Sequence, residues 1–338
     1  MIFPWNQSLA DSLLKRKERL PHALLFRGAQ GIGKLALAEA LASALLCEKP
    51  AANGSACGQC VACGWLLQGG HPDLRRLEPE SRSAGDEAEG AGEKKEKVSA
   101  QIPVEQVRGI ADFINITSQR GGAKLVLVHP AEALNVSAAN ALLKGLEEPP
   151  PRTHFLLISH RWHQLLPTIR SRCQQIEVPP PSREAAAKWM AQQGVKNPEL
   201  ALAQAGGAPL LALKFDDEYW AQREQFLKSL SGKALDALAL AERIRDHAPA
   251  LVVSWLQKWG YDLVLHKTTG GVRYNPDQAA AIAAISGRID LVEAVRFQRH
   301  VVRLQRVVSH PLNARLFFEE LLLRYADLSR GRPLARAA

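Results

Sequence analysis

Short apolar runs of strand length alternate with helical patterns in the first half of the chain. The runs are Ala23–Phe26, Leu74–Leu77, Leu125–Val128, Phe155–Ile158 and Gln175–Val178. Strands that alternate with helices form a mostly parallel sheet that is covered on both faces. The pattern therefore predicts one α/β domain over residues 1–178.

Beyond the prolines at 179–181 the pattern is helical. Residues 179–215 form a short segment that is punctuated by Gly194 and by Gly206–Gly207, and residues 216–338 show helical periodicity almost throughout. Ser182 is a suitable N-cap for the first of these helices. We predict an α/β plus all-α protein, with a small helical domain at 179–215 and a larger one at 216–338.

An insertion interrupts the first domain at residues 78–100. The stretch from Glu78 to Lys97 holds seven acidic and four basic residues and almost nothing apolar to bury. Segments of this composition do not bury enough apolar surface to offset the entropy of ordering. We predict a disordered, acidic surface insertion.

Composition and charge narrow the class of protein. The 338 residues are 46% hydrophobic and 23% charged, which is ordinary for a globular chain of two or three domains. A net charge of +9 makes nucleic acid a candidate neighbour, although spread charge of this size also serves solubility. Because no apolar run approaches the length of a membrane helix and the first residues lack a signal-peptide pattern, we expect a cytoplasmic protein without a membrane partner.

The first predicted strand runs directly into a glycine-rich loop. The loop reads Gly28-Ala29-Gln30-Gly31-Ile32-Gly33-Lys34, and an apolar helical pattern follows it. Glycines let backbone N–H groups turn inward, and the helix N-terminus and the lysine add positive potential for a phosphate. This context predicts a phosphate-binding loop whose binding residues are Gly28, Gly31, Gly33 and Lys34.

Three parts of the usual hydrolytic machinery are missing. Leu35 stands where a Ser or Thr hydroxyl would bind Mg²⁺, and leucine offers no oxygen ligand. The strand around Leu125–Val128 continues into His129 and Pro130, where an Asp and a Glu would hold the metal and polarise water. We therefore predict ATP or ADP binding without hydrolysis; the alternative is that Glu132 replaces the missing carboxylate.

Four of the five cysteines lie close together in the sequence. Cys57, Cys60 and Cys63 follow at three-residue intervals, and Cys47 ends the preceding helical pattern. Four thiolates suit tetrahedral Zn²⁺, and a site closed by four cysteines is structural, not catalytic. The spacing departs from paired zinc knuckles, so an iron–sulfur site is the alternative. We expect His71 to position the chain and not to bind metal, and we expect Cys173 to be a small buried residue.

Two later segments carry a resemblance to a known family. Residues 140–150 read NALLKGLEEPP and residues 166–173 read LPTIRSRC. Both closely resemble the clamp-loader branch of AAA+ proteins. Together with the altered nucleotide site, the cysteine cluster and the order of domains, the chain resembles subunits of the bacterial DNA polymerase III clamp loader over nearly its whole length.

The resemblance implies a fold and a set of site residues. Residues 1–178 would be an AAA+ RecA-like P-loop domain with a zinc module at 47–63, residues 179–215 a lid, and residues 216–338 a collar that joins five subunits. The arginine of the motif Ser171-Arg172-Cys173 would reach the nucleotide of a neighbouring subunit; without the motif, Arg172 would be interpreted as an ion-paired surface residue.

Two further family positions differ from the usual pattern. The sensor arginine of the lid is missing, because the corresponding run is Gly206-Gly207-Ala208-Pro209. The polar residue of the first sensor is best matched by Ser159 or His160. Neither of these two residues would replace the missing magnesium ligands.

The resemblance also implies a function. The chain would be a stator-like subunit without ATPase activity, and the DNA-directed DNA polymerase (nucleotidyltransferase) activity would reside in other subunits. Its partners would be the gamma/tau ATPase subunits and the delta subunit in a hetero-pentamer, with primed DNA and the sliding clamp contacted through the complex. The alternatives are an ATP-hydrolysing motor subunit of the same loader and a zinc-dependent DNA-binding module.

Overall fold

The computed structural model describes residues 2–80, 101–120, 122–232, 235–305, 308 and 313–332. The chain divides into two compact units, Met1–Ser182 and Arg183–Ala338. The first unit therefore ends close to the expected end of the α/β domain at residue 178. Residues 81–100 of the expected acidic insertion lie outside the described residues, so its disorder stays a prediction.

The first unit is built on a five-stranded parallel sheet. Its strands are β1 (Ala23–Arg27), β2 (Leu74–Leu77), β3 (Lys124–Val128), β4 (Thr153–Ser159) and β5 (Gln174–Glu177). They lie in the order β2-β3-β4-β1-β5, and every pair is parallel. All five predicted strands are confirmed. The three central strands, β1, β3 and β4, are buried nearly throughout, whereas β2 is buried only at its two end residues and β5, at the edge, is largely exposed.

Helices connect these strands. They are α1 (Gln7–Lys15), α2 (Lys34–Leu46), α3 (Val61–Leu67), α4 (Val104–Asn115), α5 (Val136–Glu147) and α6 (Pro167–Arg172). The side chain of Asn135 caps α5 by accepting a hydrogen bond from the backbone N–H of Ala138, and Pro167 opens α6. Because the strands are parallel, their carboxyl ends meet at one edge, where the loops after β1, β3 and β4 lie together.

The second unit is helical. Its helices are α7 (Arg183–Gln192), α8 (Pro198–Gln204), α9 (Pro209–Ala212), α10 (Asp217–Ser231), α11 (Ala237–Arg243), α12 (Pro249–Thr269), α13 (Ala279–Arg288), α14 (Leu291–Leu304) and α15 (Ala314–Ser329). None of the helices in the described ranges combines the length and the apolar character that crossing a bilayer requires.

Two separate cores stabilise this unit. A small one gathers Ala186, Met190 and Leu202 of the first helices. A larger one surrounds Trp259, whose indole N–H donates to the hydroxyl oxygen of Tyr325 at 2.8 Å. The small core also packs against Trp220, and the division into a lid at 179–215 and a collar at 216–338 stays a prediction.

Candidate functional site

The phosphate loop adopts a conformation that only glycine tolerates at two positions. Gly28 has a φ of 151°, and a Cβ atom there would lie 2.5 Å from the carbonyl oxygen of Val178. Gly33 has a φ of 89°, and a Cβ atom there would lie 2.5 Å from the ring of Phe3. The close approach of neighbouring groups therefore fixes glycine at both ends of the loop.

Lys34, the first residue of α2, turns back onto the loop that precedes it. Its side chain is buried, and Nζ donates to the carbonyl oxygens of Gly28, at 2.9 Å, and Ala29. Burial lowers the pKa of Lys34 to about 8, and the negative charge of Glu132 offsets part of that effect. The cation that a phosphate would need is thus engaged by the chain's own carbonyl groups.

Residues near the N-terminus pack over the same loop. The indole N–H of Trp5 and the side-chain amide of Asn6 both donate to the carbonyl oxygen of Ile32, at 2.9 and 3.0 Å. The rings of Phe3 and Trp5 stack with centroids 5.1 Å apart. These contacts were not identified from the sequence; two aromatic residues flanking Pro4 near the start of the chain were the available signal.

Histidines follow both β3 and β4: His129 stands where a hydrolytic site has a carboxylate, and His160 directly follows the end of β4. His129 is buried and meets His160 edge to face, with ring centroids 5.4 Å apart. The carboxylate of Glu132 accepts from the backbone N–H of His160 at 3.0 and 3.2 Å. Ser159 ends β4 fully buried, and its hydroxyl has no hydrogen-bond partner among the residues described. Both first-sensor candidates therefore lie at this edge of the sheet.

Arg172 ends α6 and lies at the surface. Its Nη1 donates to the carbonyl oxygen of Thr168 at 3.0 Å, and its Nη2 lies 2.5 Å from Oε1 of Glu147. The hydroxyl of Ser171 donates to the same Thr168 oxygen at 3.1 Å. Cys173 is buried, as expected, and desolvation raises its pKa to about 12. The sequence did not predict Glu147, although an acidic residue at a helix C-terminus was a usable signal.

The four predicted cysteines converge. Their ligand atoms all lie within 4.8 Å of one another, with Sγ–Sγ distances of 3.9 Å for Cys47–Cys60 and 4.0 Å for Cys57–Cys63. Cys47 directly follows α2, and Cys60 directly precedes α3. Tetrahedral Zn–S bonds of about 2.3 Å place sulfur atoms about 3.8 Å apart. The geometry therefore suits a tetrahedral metal ion such as zinc.

Backbone N–H groups support the thiolate form at two of these cysteines. The N–H groups of Gln59 and Cys60 donate to the sulfur of Cys57 at 3.4 and 3.3 Å and lower its pKa. The N–H of Cys63 is the largest cause that lowers the pKa of Cys60 to about 6. Burial raises the pKa of Cys63 to about 12, and a bound cation would oppose that shift because a coordinated thiol is deprotonated.

His71 lies outside the cysteine group. Its Nδ1 accepts from the backbone N–H of Asp73 at 3.0 Å, directly before β2 begins at Leu74. The carboxylate of Asp73 in turn accepts from the hydroxyl of Ser118 at 3.0 Å. These contacts fit the expectation that His71 positions the chain.

Two arginines lie near the loop at Gly206–Gly207, where the sensor arginine of the family is missing from the sequence. Gly206 and Gly207, with φ values of 65° and 91°, border a cavity of about 300 Å³. Arg183, at the start of α7, and Arg273 border the same cavity. The run Gly206-Gly207-Ala208-Pro209 gives no sign of these two arginines, because they come from other parts of the chain.

Comparisons with known proteins agree with these observations. A family model described as "DNA polymerase III, delta subunit" matches residues 7–182, and one described as "DNA polymerase III, delta subunit, C terminal" matches residues 217–327. The first model covers the sheet, the phosphate loop, the cysteines and Arg172. The second falls within the predicted collar.

Two similar proteins share one name. The chain is 38% identical over 340 residues to "DNA polymerase III subunit delta'" of Pseudomonas aeruginosa, covering 97% of this chain and 98% of the relative. It is 30% identical over 335 residues to the protein of that name from Escherichia coli K12, covering 95% and 94%. A solved gamma subunit-related protein of Thermotoga maritima aligns with a TM-score of 0.42 and 18% identity, covering 95% and 99%. The chain thus belongs to the DNA polymerase III delta-prime family, the AAA+ subunits of the clamp loader that its motifs indicated.

Proposed function

We propose that this chain is a non-hydrolysing member of the clamp-loader complex and that Arg172 completes the ATP site of a neighbouring ATPase subunit. Its partners are gamma/tau and delta subunits in a hetero-pentamer that loads the sliding clamp onto primed DNA. The DNA polymerase activity of the holoenzyme resides in other subunits.

The observation that carries this proposal is the make-up of the chain's own nucleotide site. At the three positions where oxygen ligands for Mg²⁺ and water are needed, the chain has Leu35, His129 and Pro130. Magnesium requires hard oxygen ligands, and none of these side chains supplies one. Glu132, the remaining candidate, already accepts a hydrogen bond from the backbone of His160. The phosphate loop is therefore retained without the groups that hydrolysis needs.

Arg172 has the properties required of a residue that acts across an interface. It ends a helix, about a third of its side chain is exposed, and its contacts are one carbonyl oxygen and one exposed carboxylate. A guanidinium delivered in trans neutralises charge that develops on the γ-phosphoryl group, an effect of ~10³–10⁵ in rate. A subunit that does not hydrolyse ATP thereby controls hydrolysis beside it.

Two assays test the proposal. The pure chain with ATP and Mg²⁺ should release no phosphate above background. A clamp-loader complex reconstituted with Arg172→Ala should lose turnover at the neighbouring site, whereas Arg161→Ala, an exposed arginine on the loop after β4, should not. Turnover by the chain alone would favour the motor-subunit alternative, and unchanged hydrolysis with Arg172→Ala would refute the role of this arginine.

The cysteine group holds a structural zinc ion in this proposal. Cys47, Cys57, Cys60 and Cys63 satisfy all four positions of a tetrahedral ion, so no open position remains for catalysis. Elemental analysis of the purified chain should give one zinc and no iron per molecule. Cys57→Ser should lose the zinc, and Cys173→Ala, which removes a buried cysteine outside the group, should retain it.

Nucleotide binding without turnover has its own test. The residues that would hold ATP or ADP are Gly28, Gly31, Gly33 and Lys34. Lys34 first has to leave the carbonyl oxygens of its own loop. Equilibrium dialysis with ADP should show binding that Lys34→Ala abolishes. Equal retention by both proteins would place the nucleotide elsewhere.

A further inference from the structure

The ion pair between Arg172 and Glu147 joins the C-terminal ends of two helices. Arg172 is the last residue of α6, and Glu147 is the last residue of α5. Nη2 of the arginine lies 2.5 Å from Oε1 of the glutamate, with side-chain exposures of 34% and 46%. Through Nη1 the arginine also binds Thr168, four residues earlier on its own helix, so that the guanidinium is folded back against the protein.

The position of Glu147 is unfavourable in terms of its own helix. The C-terminal end of a helix carries partial negative charge, so a carboxylate there is destabilising and a lysine or arginine is favoured. Two consecutive acidic residues, Glu147 and Glu148, nevertheless end α5. Of the two, only Glu147 forms an ion pair among the described residues, and its partner is Arg172. The ion pair with Arg172 therefore offsets the unfavourable position of this carboxylate at the helix end.

We propose that Glu147 is a positioning residue that holds Arg172 on this subunit's own surface and must release it before the arginine reaches a neighbour's nucleotide. This inference rests on the proposed function and adds a regulated step to it. Engagement with the nucleotide competes with the ion pair, because the guanidinium is folded back onto Glu147 and Thr168 of its own subunit and has to leave Glu147 to reach a neighbour. Breaking the ion pair is thus part of the cost of activation.

The size of the effect follows from the exposure of the pair. Ion pairs between exposed side chains favour the paired state by about fivefold at most. When few Arg172 side chains engage the nucleotide, removing the carboxylate should raise the engaged fraction by up to that factor. When nearly all of them are engaged, the same change should alter the engaged fraction little. The expected signature is a higher resting rate with an unchanged stimulated rate.

The test compares Glu147→Gln with Glu148→Gln in the reconstituted complex. Both substitutions remove one negative charge at the same helix end, but only the first removes the ion pair with Arg172. ATP hydrolysis is measured with and without primed DNA and sliding clamp, and each variant is repeated with Arg172→Ala. We expect Glu147→Gln to raise the unstimulated rate by about two- to fivefold, to leave the stimulated rate unchanged, and to have no effect once Arg172 is absent.

The remaining outcomes separate the two proposals. Equal unstimulated rates for the two glutamine variants, with a large loss for Arg172→Ala, would overturn the role of Glu147 and keep that of Arg172. A fall in the stimulated rate with Glu147→Gln would show that the carboxylate orients the engaged arginine, which also overturns the proposal. No effect of Arg172→Ala would overturn the proposed function itself.

Discussion

Two cationic side chains of the α/β unit, Lys34 and Arg172, have opposite surroundings. Lys34 is 3% exposed and donates to carbonyl oxygens of its own loop, while aromatic residues near the N-terminus cover the loop. Arg172 is one-third exposed and is held by one carbonyl and one exposed carboxylate. We propose a nucleotide role for both, yet only Arg172 can leave its partners at small cost. Burial therefore decides which of the two cations is available for chemistry.

The most direct test of this difference removes each cation in turn from the assembled complex. Arg172→Ala should reduce hydrolysis at the neighbouring site by ~10³, because the charge developing on the γ-phosphoryl group loses its trans cation. Lys34→Ala should leave the steady-state rate of the complex unchanged. A comparable loss with Lys34→Ala would show that the phosphate loop of this chain takes part in turnover.

Zinc removal tests whether the helix that begins at Lys34 depends on the cysteine group at its other end. Cys47 directly follows α2, the helix that begins at Lys34, so losing the metal should loosen the far end of that helix. We expect Cys57→Ser to lower the free energy of unfolding on the order of 3 kcal/mol, measured by denaturant titration. Cys173→Ala is the control, and an equal loss in both variants would argue against a metal effect.

The fixed shape of the phosphate loop can be tested at Gly28. A Cβ atom there would meet the carbonyl oxygen of Val178 at 2.5 Å, so Gly28→Ala should destabilise the protein by about 1–3 kcal/mol. Gly109 lies exposed within α4 with no atom near its Cβ direction, so Gly109→Ala should stabilise by roughly 0.5–1 kcal/mol. Thermal melts of both variants should therefore shift in opposite directions.

A pH dependence of stability arises from Lys34. In the folded chain Lys34 loses its proton near pH 8, whereas the unfolded chain keeps it up to about 10.5. The unfolded state binds more protons between these values, so the free energy of unfolding rises with pH across this window. Lys34→Met removes this contribution and should flatten the curve from pH 8 to 10.5 relative to the native chain.

The contribution of Lys34 is the difference between the pH curves of the free energy of unfolding for the native chain and for Lys34→Met. Burial also lowers the pKa of Lys258 to about 8, so this lysine contributes to the native chain and to the variant alike. If the free energy of unfolding changes with pH in the same way in both proteins, burial does not lower the pKa of Lys34.

Local signals in the sequence predicted the sheet and the cysteine group. The five strands were predictable because each apolar run is short and bounded by helical patterns, and the cysteines because three-residue spacing keeps thiols close in any compact turn. The loop between Gly28 and Lys34 was predictable for the same reason, since its glycines and its lysine are contiguous. Each of these features depends on residues close together in the chain.

The contacts that distinguish the two cations were not predictable, because they join distant residues. Trp5 meets Ile32 across 27 positions, and Glu147 meets Arg172 across 25. Nothing in the local pattern sets which helix ends will lie together after folding. Arg183 and Arg273 reach one cavity by the same long-range packing.

The hydrogen bond from Trp5 to the carbonyl oxygen of Ile32 gives the molecule a built-in optical probe. Indole emission responds to the polarity around the ring, and this ring is tied to the backbone of the glycine-rich turn. The difference spectrum between the native chain and Trp5→Phe would isolate that signal from the other six tryptophans. Any rearrangement of the turn, on assembly or on adding nucleotide, would be readable in real time without attaching a dye.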